Sequence, residues 1–192
     1  MGITGKSYSI LPISENLDFE QARHLLDRCL FGAKKSEIDA FVGKSISTAM
    51  SSLLSTPTTP DPPLTYDPAD LGVPVGTTWI NAAYDSTYNN SRLRSLRAWW
   101  IKQMMVQGMS ITEKMGLFWH NHFVTETETV TYASILYPYN QILRKYALGN
   151  IRQMVYEITI SPAMLIYLNG ESNKASAPNE NYGRELFEIG RA

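Results

Sequence analysis

Prolines crowd into one stretch of this chain and divide it into two parts. Six of the ten prolines lie between residues 55 and 78. Each proline removes a backbone N–H donor and restricts φ to about −65°, so neither a regular helix nor a central strand tolerates that density. We therefore predict a long loop over residues 55–90, because a polar run that begins at Tyr84 extends the irregular region.

Helical patterning dominates on both sides of this loop. Apolar residues recur at three-to-four spacing, as in Leu93, Leu96 and Trp99, and 44% of the chain is hydrophobic, enough for a sizeable core. The spacing predicts helices over residues 18–31, 36–42, 45–54, 91–108, 110–122, 132–148, 150–160 and 161–168, with a last helix from about 179. We expect the Thr- and Glu-rich residues 124–131 to form an extended loop. The predicted class is all-α, a multi-helix bundle with a long proline-rich loop.

Helix-capping residues mark several of the predicted helix starts. Asp18, Asn150 and Ser161 each precede a segment with helical periodicity, and their side chains favour the N-cap position. Ser110 and Glu113 match the capping-box pattern, in which each side chain bonds the backbone N–H of the other residue.

Length and charge limit the functional classes. A chain of 192 residues fits one domain, which we place at residues 18–192 after an N-terminal extension over residues 1–17. A net charge of −1 lacks the basic surplus of nucleic-acid-binding proteins, so no nucleic-acid partner is expected. The stripe of Arg92, Arg94 and Arg97 is interpreted as a solvated helix face.

Apolar runs and cysteine content bear on the compartment. No run approaches the roughly eighteen apolar residues of a membrane-spanning helix, so we expect no span. The N-terminus lacks the apolar segment of a secretory signal, which predicts a cytoplasmic location. Cys29 is the only cysteine, so no intrachain disulfide is possible, and its place on a helix face favours a buried structural thiol.

The first of two polar runs that could carry chemistry contains His120, Asn121 and His122. Metal-binding histidine pairs on a helix sit at i,i+3 or i,i+4, because those side chains share a face, whereas an i,i+2 pair does not. Asn121 is also a poor ligand for zinc. We therefore expect no metal and no other cofactor, and one imidazole packed in the core.

The second polar run opens the last predicted helix and comprises Asn179, Glu180, Asn181, Tyr182, Arg184 and Glu185. One explanation is a solvated helix face, with an asparagine as the cap and i,i+4 ion pairs around Arg184. The other is a polar network buried against the histidine run. In an enzyme, Glu180 or Glu185 would act as the base of that network. His120 or His122 would act as the acid. We expect at least one of these two histidines to lie within hydrogen-bond or one-water reach of residues 179–185.

Five segments follow the order of motifs in a bacterial family: His-Leu-Leu-Asp-Arg at 24–28 with Phe-Gly at 31–32, Phe-Trp-His-Asn-His-Phe at 118–123, Arg144 with Ala-Leu-Gly-Asn at 147–150, Pro-Ala-Met-Leu at 162–165 with Tyr-Leu at 167–168, and Pro-Asn-Glu-Asn-Tyr at 178–182 with Arg-Glu-Leu at 184–186. The chain thus resembles the family called domain of unknown function 1800. The resemblance implies a mostly helical protein whose activity is not established. Members are usually longer and many are exported, so we expect this chain to be the N-terminal part of a longer architecture.

The sequence is compatible with two functions. The first, which we favour, is a structural or partner-binding module whose polar runs organise the core and whose 55–90 loop meets a protein partner. The second is an enzyme, such as a hydrolase, in which residues 118–123 and 179–185 converge in a cleft. The chain contains no Gly-rich phosphate loop, Gly-x-Ser-x-Gly elbow or Cys-x-x-Cys pair, which argues against common nucleotide-binding, serine-hydrolase and redox classes.

Overall fold

The computed structural model describes residues 16–189, so most of the predicted N-terminal extension and residues 190–192 lie outside the described part. Within that part the chain forms α1 (Phe19–Cys29), α2 (Lys35–Asp39), α3 (Ile46–Leu53), α4 (Asn89–Val106), α5 (Thr112–His122), α6 (Ala133–Lys145), α7 (Ile151–Thr159), α8 (Pro162–Tyr167) and α9 (Asn181–Ile189). No strand occurs between residues 16 and 189, and the predicted all-α class is confirmed. None of the described helices is both long and apolar enough to cross a membrane.

Three of the predicted caps form at their helix starts. At α1 the Gln21 backbone N–H donates to the Asp18 carboxylate at 2.8 Å, and the Asp18 N–H donates to the Gln21 side chain at 3.0 Å. Asn150 accepts from the Gln153 N–H at 3.1 Å and so caps α7, and the Ser161 hydroxyl caps α8. These caps satisfy backbone donors that have no partner inside their own helices.

The capping box predicted at Ser110 and Glu113 is wrong. The helix begins at Thr112, whose N–H donates to the Ser110 hydroxyl at 3.3 Å, while that hydroxyl donates to the Ser55 carbonyl at 3.0 Å. Glu113 is only 4% exposed, and its carboxylate pairs with Arg144 instead of bonding the helix start. A charged partner across the core outcompetes the local backbone N–H for a buried carboxylate.

A smaller apolar cluster is built by α1, α2 and α3. Leu17, which we assigned to the N-terminal extension, is 2% exposed and belongs to this cluster together with Phe41. Its backbone N–H donates to the Lys44 carbonyl at 2.9 Å. Cys29 packs against the cluster but is half-buried instead of fully buried, and this partial burial raises the pKa of its thiol.

A larger apolar cluster is built by α4 to α9 around the central helix α6, which packs against α4, α5, α7 and α8. The two clusters are joined through α5. The Lys114 ammonium donates to the Leu30 carbonyl at 2.7 Å and to the Asp27 carbonyl at 3.3 Å, which places a positive charge at the C-terminal end of α1. The Ile111 N–H, just before α5, donates at 3.0 Å to the carbonyl of Leu53, the last residue of α3.

The proline-rich loop packs along α4. The Trp99 indole N–H donates to the Asp61 carbonyl at 2.6 Å, and the Ser95 hydroxyl donates to the Leu64 carbonyl at 2.6 Å. Trp79, from the loop itself, is 1% exposed and donates to the Ser95 hydroxyl at 3.1 Å. Side chains of α4 thus bond backbone carbonyls of the proline-rich loop and hold it against the helix.

Candidate functional site

The two histidines of the first polar run leave the end of α5 on different sides. The His120 ring packs edge-on against Trp100 with ring centroids 5.1 Å apart, whereas the His122 ring packs against Phe118 at 4.8 Å. Asn121, between them, is exposed. The i,i+2 spacing explains this divergence, and each histidine lines a different cavity.

The first cavity, here called the His120 cavity, has a volume of about 300 Å³ and lies between α4, α5, α6 and the loop that follows α5. Its walls include Trp100, His120, Thr125 and Asn140. Burial lowers the pKa of the His120 imidazole, which is therefore neutral at neutral pH. Tyr139 closes one side and donates its hydroxyl to the Phe123 carbonyl, and burial raises the pKa of this phenol.

The second cavity, here called the His122 cleft, has a volume of about 590 Å³ and opens between the end of α5, the following loop, α8 and α9. Its polar lining includes His122, Glu126, Tyr167, Tyr182 and Glu185. Burial raises the pKa of the Tyr167 phenol, and the negative charges of the two glutamates raise it further. The Tyr182 hydroxyl is held by a 2.5 Å hydrogen bond to the Thr159 hydroxyl, which orients its ring in the cleft.

Of the second polar run, Tyr182 and Glu185 reach the His122 cleft. The structure therefore brings one predicted histidine into a common cleft with two predicted residues of α9. Among the described hydrogen bonds, none joins His120 or His122 to residues 179–185 directly.

Asn179 has a structural role beside this cleft. Its side-chain amide donates to the Leu168 carbonyl at 3.2 Å and to the Asn169 carbonyl at 3.0 Å, and its side-chain oxygen accepts from the Asn181 N–H at 2.9 Å. The residue thus satisfies carbonyls just beyond the end of α8 and an N–H at the start of α9. Asn181 is the first residue of α9 and Glu180 precedes it, so neither asparagine occupies the predicted cap position. Asn179 bonds the helix start from one residue further back.

Glu180, just before α9, and Arg184, within it, are both exposed. The Arg184 guanidinium is 3.4 Å from the Glu185 carboxylate and 3.5 Å from that of Glu188. The Arg184 backbone N–H donates to the Glu180 carbonyl at 3.0 Å, as in any helix. This part of the run is therefore the solvated helix face that we considered as one of the two explanations.

Asp70 and Arg92 form a buried ion pair that the sequence analysis did not predict. The guanidinium Nε and Nη2 donate to the two carboxylate oxygens at 2.8 and 3.0 Å, and Nη1 donates to the Ala83 carbonyl at 2.8 Å. Arg92 holds the pKa of the Asp70 carboxyl below its ordinary value. The interpretation of Arg92 as solvated is wrong, whereas Arg94 and Arg97 are exposed as predicted. Arg92 is drawn inward because the proline-rich loop carries a buried carboxylate over α4.

A second buried pair joins Glu113 of α5 to Arg144 of α6. The Arg144 Nη2 donates to the Glu113 carboxylate at 3.0 Å, and the guanidinium lies over the Trp99 ring at 5.2 Å from its centroid. Burial lowers the pKa of Arg144 to about 10. Between residues 16 and 189, no three His, Cys, Asp or Glu side chains are grouped as metal ligands. The two buried pairs join the proline-rich loop to α4 and α5 to α6.

These features define an all-α protein with two cavities on either side of the loop after α5. The model of the family described as "Protein of unknown function (DUF1800)" matches residues 24–189, and the chain belongs to this family. Comparison with curated proteins and with solved structures gave no match.

Proposed function

We propose that this protein is a partner-binding module and that its His122 cleft receives a lysine or arginine side chain of a protein partner. The observation that supports the proposal is the chemistry of the cleft. Glu126 and Glu185 supply two carboxylates, the second of which also lies 3.4 Å from the exposed Arg184 guanidinium, and Tyr167 and Tyr182 supply two aromatic rings. No lysine or arginine is among the described residues that line the cleft.

A cation is the natural complement of this lining. An ammonium or guanidinium over an aromatic ring gains about 0.5–2 kcal/mol, and a carboxylate in the same pocket adds a charge-assisted hydrogen bond. The raised pKa of Tyr167, to which Glu126 and Glu185 contribute after burial, indicates that both negative charges act within the cleft. The methylene stem of an entering side chain would pack on Met164 and Leu168, which form part of the apolar wall.

The proposal is tested by NMR titration with three acetylated and amidated tripeptides: Gly-Lys-Gly, Gly-Arg-Gly and, as the uncharged control, Gly-norleucine-Gly. We expect the charged peptides to shift signals of His122, Tyr182 and Glu185, and the norleucine peptide to leave them in place. Equal shifts with all three peptides, or none up to about 10 mM, would exclude a cation site.

Two matched variants test whether the Glu185 carboxylate contributes to binding of the charged peptides. Glu185→Gln removes one carboxylate from the cleft, and we expect it to weaken the charged peptides by roughly three- to tenfold. Glu188→Gln changes an exposed carboxylate on the same helix that does not line the cleft, so binding should remain as in the wild type. A similar loss in both variants would mean that only the overall charge of α9 matters.

A second candidate function is acid–base catalysis in the same cleft. His122 and Glu185 share the cleft with Glu126 and two phenols, so an acid and a base have access to one bound molecule. His120 and Glu180 lie outside this cleft, and their assignment as catalytic residues stays a prediction. Hydrolysis of an ester or amide substrate that is lost in His122→Ala and Glu185→Gln, but kept in Glu188→Gln, would favour the enzyme.

A further inference from the structure

An open groove lies between α4 and the proline-rich loop. This α4 groove has a volume of about 500 Å³, and its walls are formed by loop residues between positions 60 and 66 and by helix residues between positions 95 and 106. Among the described residues, none lines both the α4 groove and the His122 cleft. A role of the groove is therefore independent of the function proposed for the cleft.

Large apolar side chains surround the α4 groove. Five of them are between 51% and 79% exposed, namely Leu64, Tyr66, Ile101, Met105 and Val106. Leu64, Tyr66 and Val106 line the groove. Single exposed apolar side chains are ordinary on a protein surface, whereas several together mark an interaction site.

Ile101 and Met105 form an apolar ridge beside the groove. They are four residues apart and so share one face of α4. Met105 lies about 60° around the helix axis from Lys102, at about 100° per residue, and Lys102 lines the groove. The ridge and the groove are therefore neighbouring parts of one surface.

We propose that this surface is a dimerisation site, on which a second copy of the chain docks with two-fold symmetry. In a two-fold interface the same patch meets itself, so each copy must carry both a protrusion and a recess that receives it. The ridge of Ile101 and Met105 is the protrusion, and the α4 groove is the recess. Each ridge enters the groove of the other copy.

The size of the patch matches that of a stable dimer interface. Large side chains present roughly 150–250 Å² each when fully exposed, so five that are 51–79% exposed offer on the order of 500 Å² of mostly apolar surface per copy. About 65% of a homodimer interface is apolar. An interface that covers the patch on both copies would thus bury about 1,500 Å² in total, which is the standard size of a specific interface.

The charges around the groove also suit a second copy. Asp61 lies on the loop wall and Lys102 on the helix wall, and both are exposed. A two-fold axis brings the Lys102 ammonium of each copy to the Asp61 carboxylate of the other, so the pair forms twice. Such pairs select the orientation of the two copies more than they add affinity.

Arg94 and Arg97 favour an antiparallel arrangement of the two α4 helices. Both are exposed and lie in the N-terminal half of α4, which spans Asn89–Val106. Antiparallel helices keep these cations at opposite ends of the interface, whereas parallel helices would bring like charges together.

Sedimentation equilibrium over about 1–500 μM protein tests the proposal. We expect a reversible equilibrium between monomer and dimer within this range. A chain that stays monomeric at every concentration would leave the groove to another occupant and overturn the proposal.

Two matched variants locate the interface. Met105→Glu places a carboxylate on the ridge, and we expect it to weaken the dimer at least about tenfold. Tyr156→Glu is the control, because Tyr156 is a large side chain of α7 that is 65% exposed and lies outside the groove, so its dimer should remain as in the wild type. An unchanged dimer in Met105→Glu, or an equal loss in Tyr156→Glu, would refute the assignment.

Mixing two charge variants tests the two-fold pairing. Asp61→Lys and Lys102→Asp each place like charges against one another, so each variant alone should dimerise about tenfold more weakly than the wild type. In an equimolar mixture, opposite charges meet at both pairs of a mixed dimer, and we expect the dimer to be restored. Mixing without any gain would contradict a contact between Asp61 and Lys102 of different copies.

Discussion

Charged side chains occupy two contrasting environments in this protein. In the buried pairs, the side chains of Arg92 and Asp70 are 7% and 0% exposed. On α9 the Arg184 side chain is 53% exposed, and its two carboxylate partners are 3.4 and 3.5 Å away. The first set connects segments distant in the chain, whereas the second connects residues within one helix turn.

The contrast separates the residues that stabilise the fold from those that are available for binding. Removing one partner of a buried pair leaves an uncompensated charge in the interior, which costs about 3–5 kcal/mol. An exposed pair contributes only about 0–1 kcal/mol, because water screens it in both states. The exposed Glu180 and Arg184 therefore contribute little to the fold, whereas Asn179 and Tyr182 bond the carbonyls beyond α8 and the Thr159 hydroxyl.

The largest effect is expected for Asp70→Asn. The change leaves Arg92 buried without its counter-charge and should lower the free energy of unfolding by about 3–5 kcal/mol, as measured by urea denaturation. Asp61→Asn is the control, because Asp61 is an exposed residue of the same loop and should change stability by about 0.5 kcal/mol or less. Equal losses in the two variants would remove the distinction between buried and exposed carboxylates.

Glu113→Gln tests the second buried pair. The glutamine keeps one hydrogen-bond acceptor for Arg144 but removes the charge, so we expect a loss of about 2–3 kcal/mol. The double variant Glu113→Leu with Arg144→Leu removes both charges and should be more stable than Glu113→Leu alone. If the stability loss of the double variant equalled or exceeded the sum of the losses in the two single variants, the pair would not act as a unit.

Asn179→Ala should produce a smaller loss. It removes the bonds to the carbonyls beyond α8 and to the start of α9, for which we expect about 1–2 kcal/mol. Hydrogen exchange should accelerate at α8 and α9 and remain unchanged at α1. A uniform acceleration over the whole chain would contradict a local role.

For Arg184→Ala we expect a loss of only about 0–1 kcal/mol in thermal or urea unfolding. The reason is the exposure of the guanidinium and the distances of its pairs. A loss of more than about 2 kcal/mol would restore the alternative of a buried polar network at the start of α9. It would also remove the contrast between the two sets of charges.

A pH-dependent effect is expected at His120, because burial lowers the pKa of its imidazole. Because burial lowers its pKa below 6.5, the unfolded chain binds the proton more tightly than the folded chain. The stabilisation by the neutral ring is fully present above about pH 6.5 and is lost as the pH falls below this value. Arg97, Glu126 and Glu128, which line the same cavity, are unchanged in His120→Gln, so this variant should remove that part of the pH dependence. Identical urea midpoints against pH in wild type and variant would contradict the prediction.

Local features of the sequence determined the helices and most of their ends. Apolar spacing and caps such as Asp18, Asn150 and Ser161 act over about four residues, so a sequence contains all that they need. The i,i+2 spacing of the two histidines likewise determined that they point to different sides. The family motifs identified the membership that the family match over residues 24–189 confirms.

Only the tertiary structure decided which polar residues meet. Arg92 lies 22 residues from Asp70, and Arg144 lies 31 residues from Glu113, and no periodicity or cap relates such positions. The capping box predicted at Glu113 failed for this reason, because a distant guanidinium competes better than the local backbone for a buried carboxylate. The His120 cavity likewise exists only where α4, α5 and α6 pack. Local rules determine each helix, whereas burial and charge pairing across the core determine what a given side chain does.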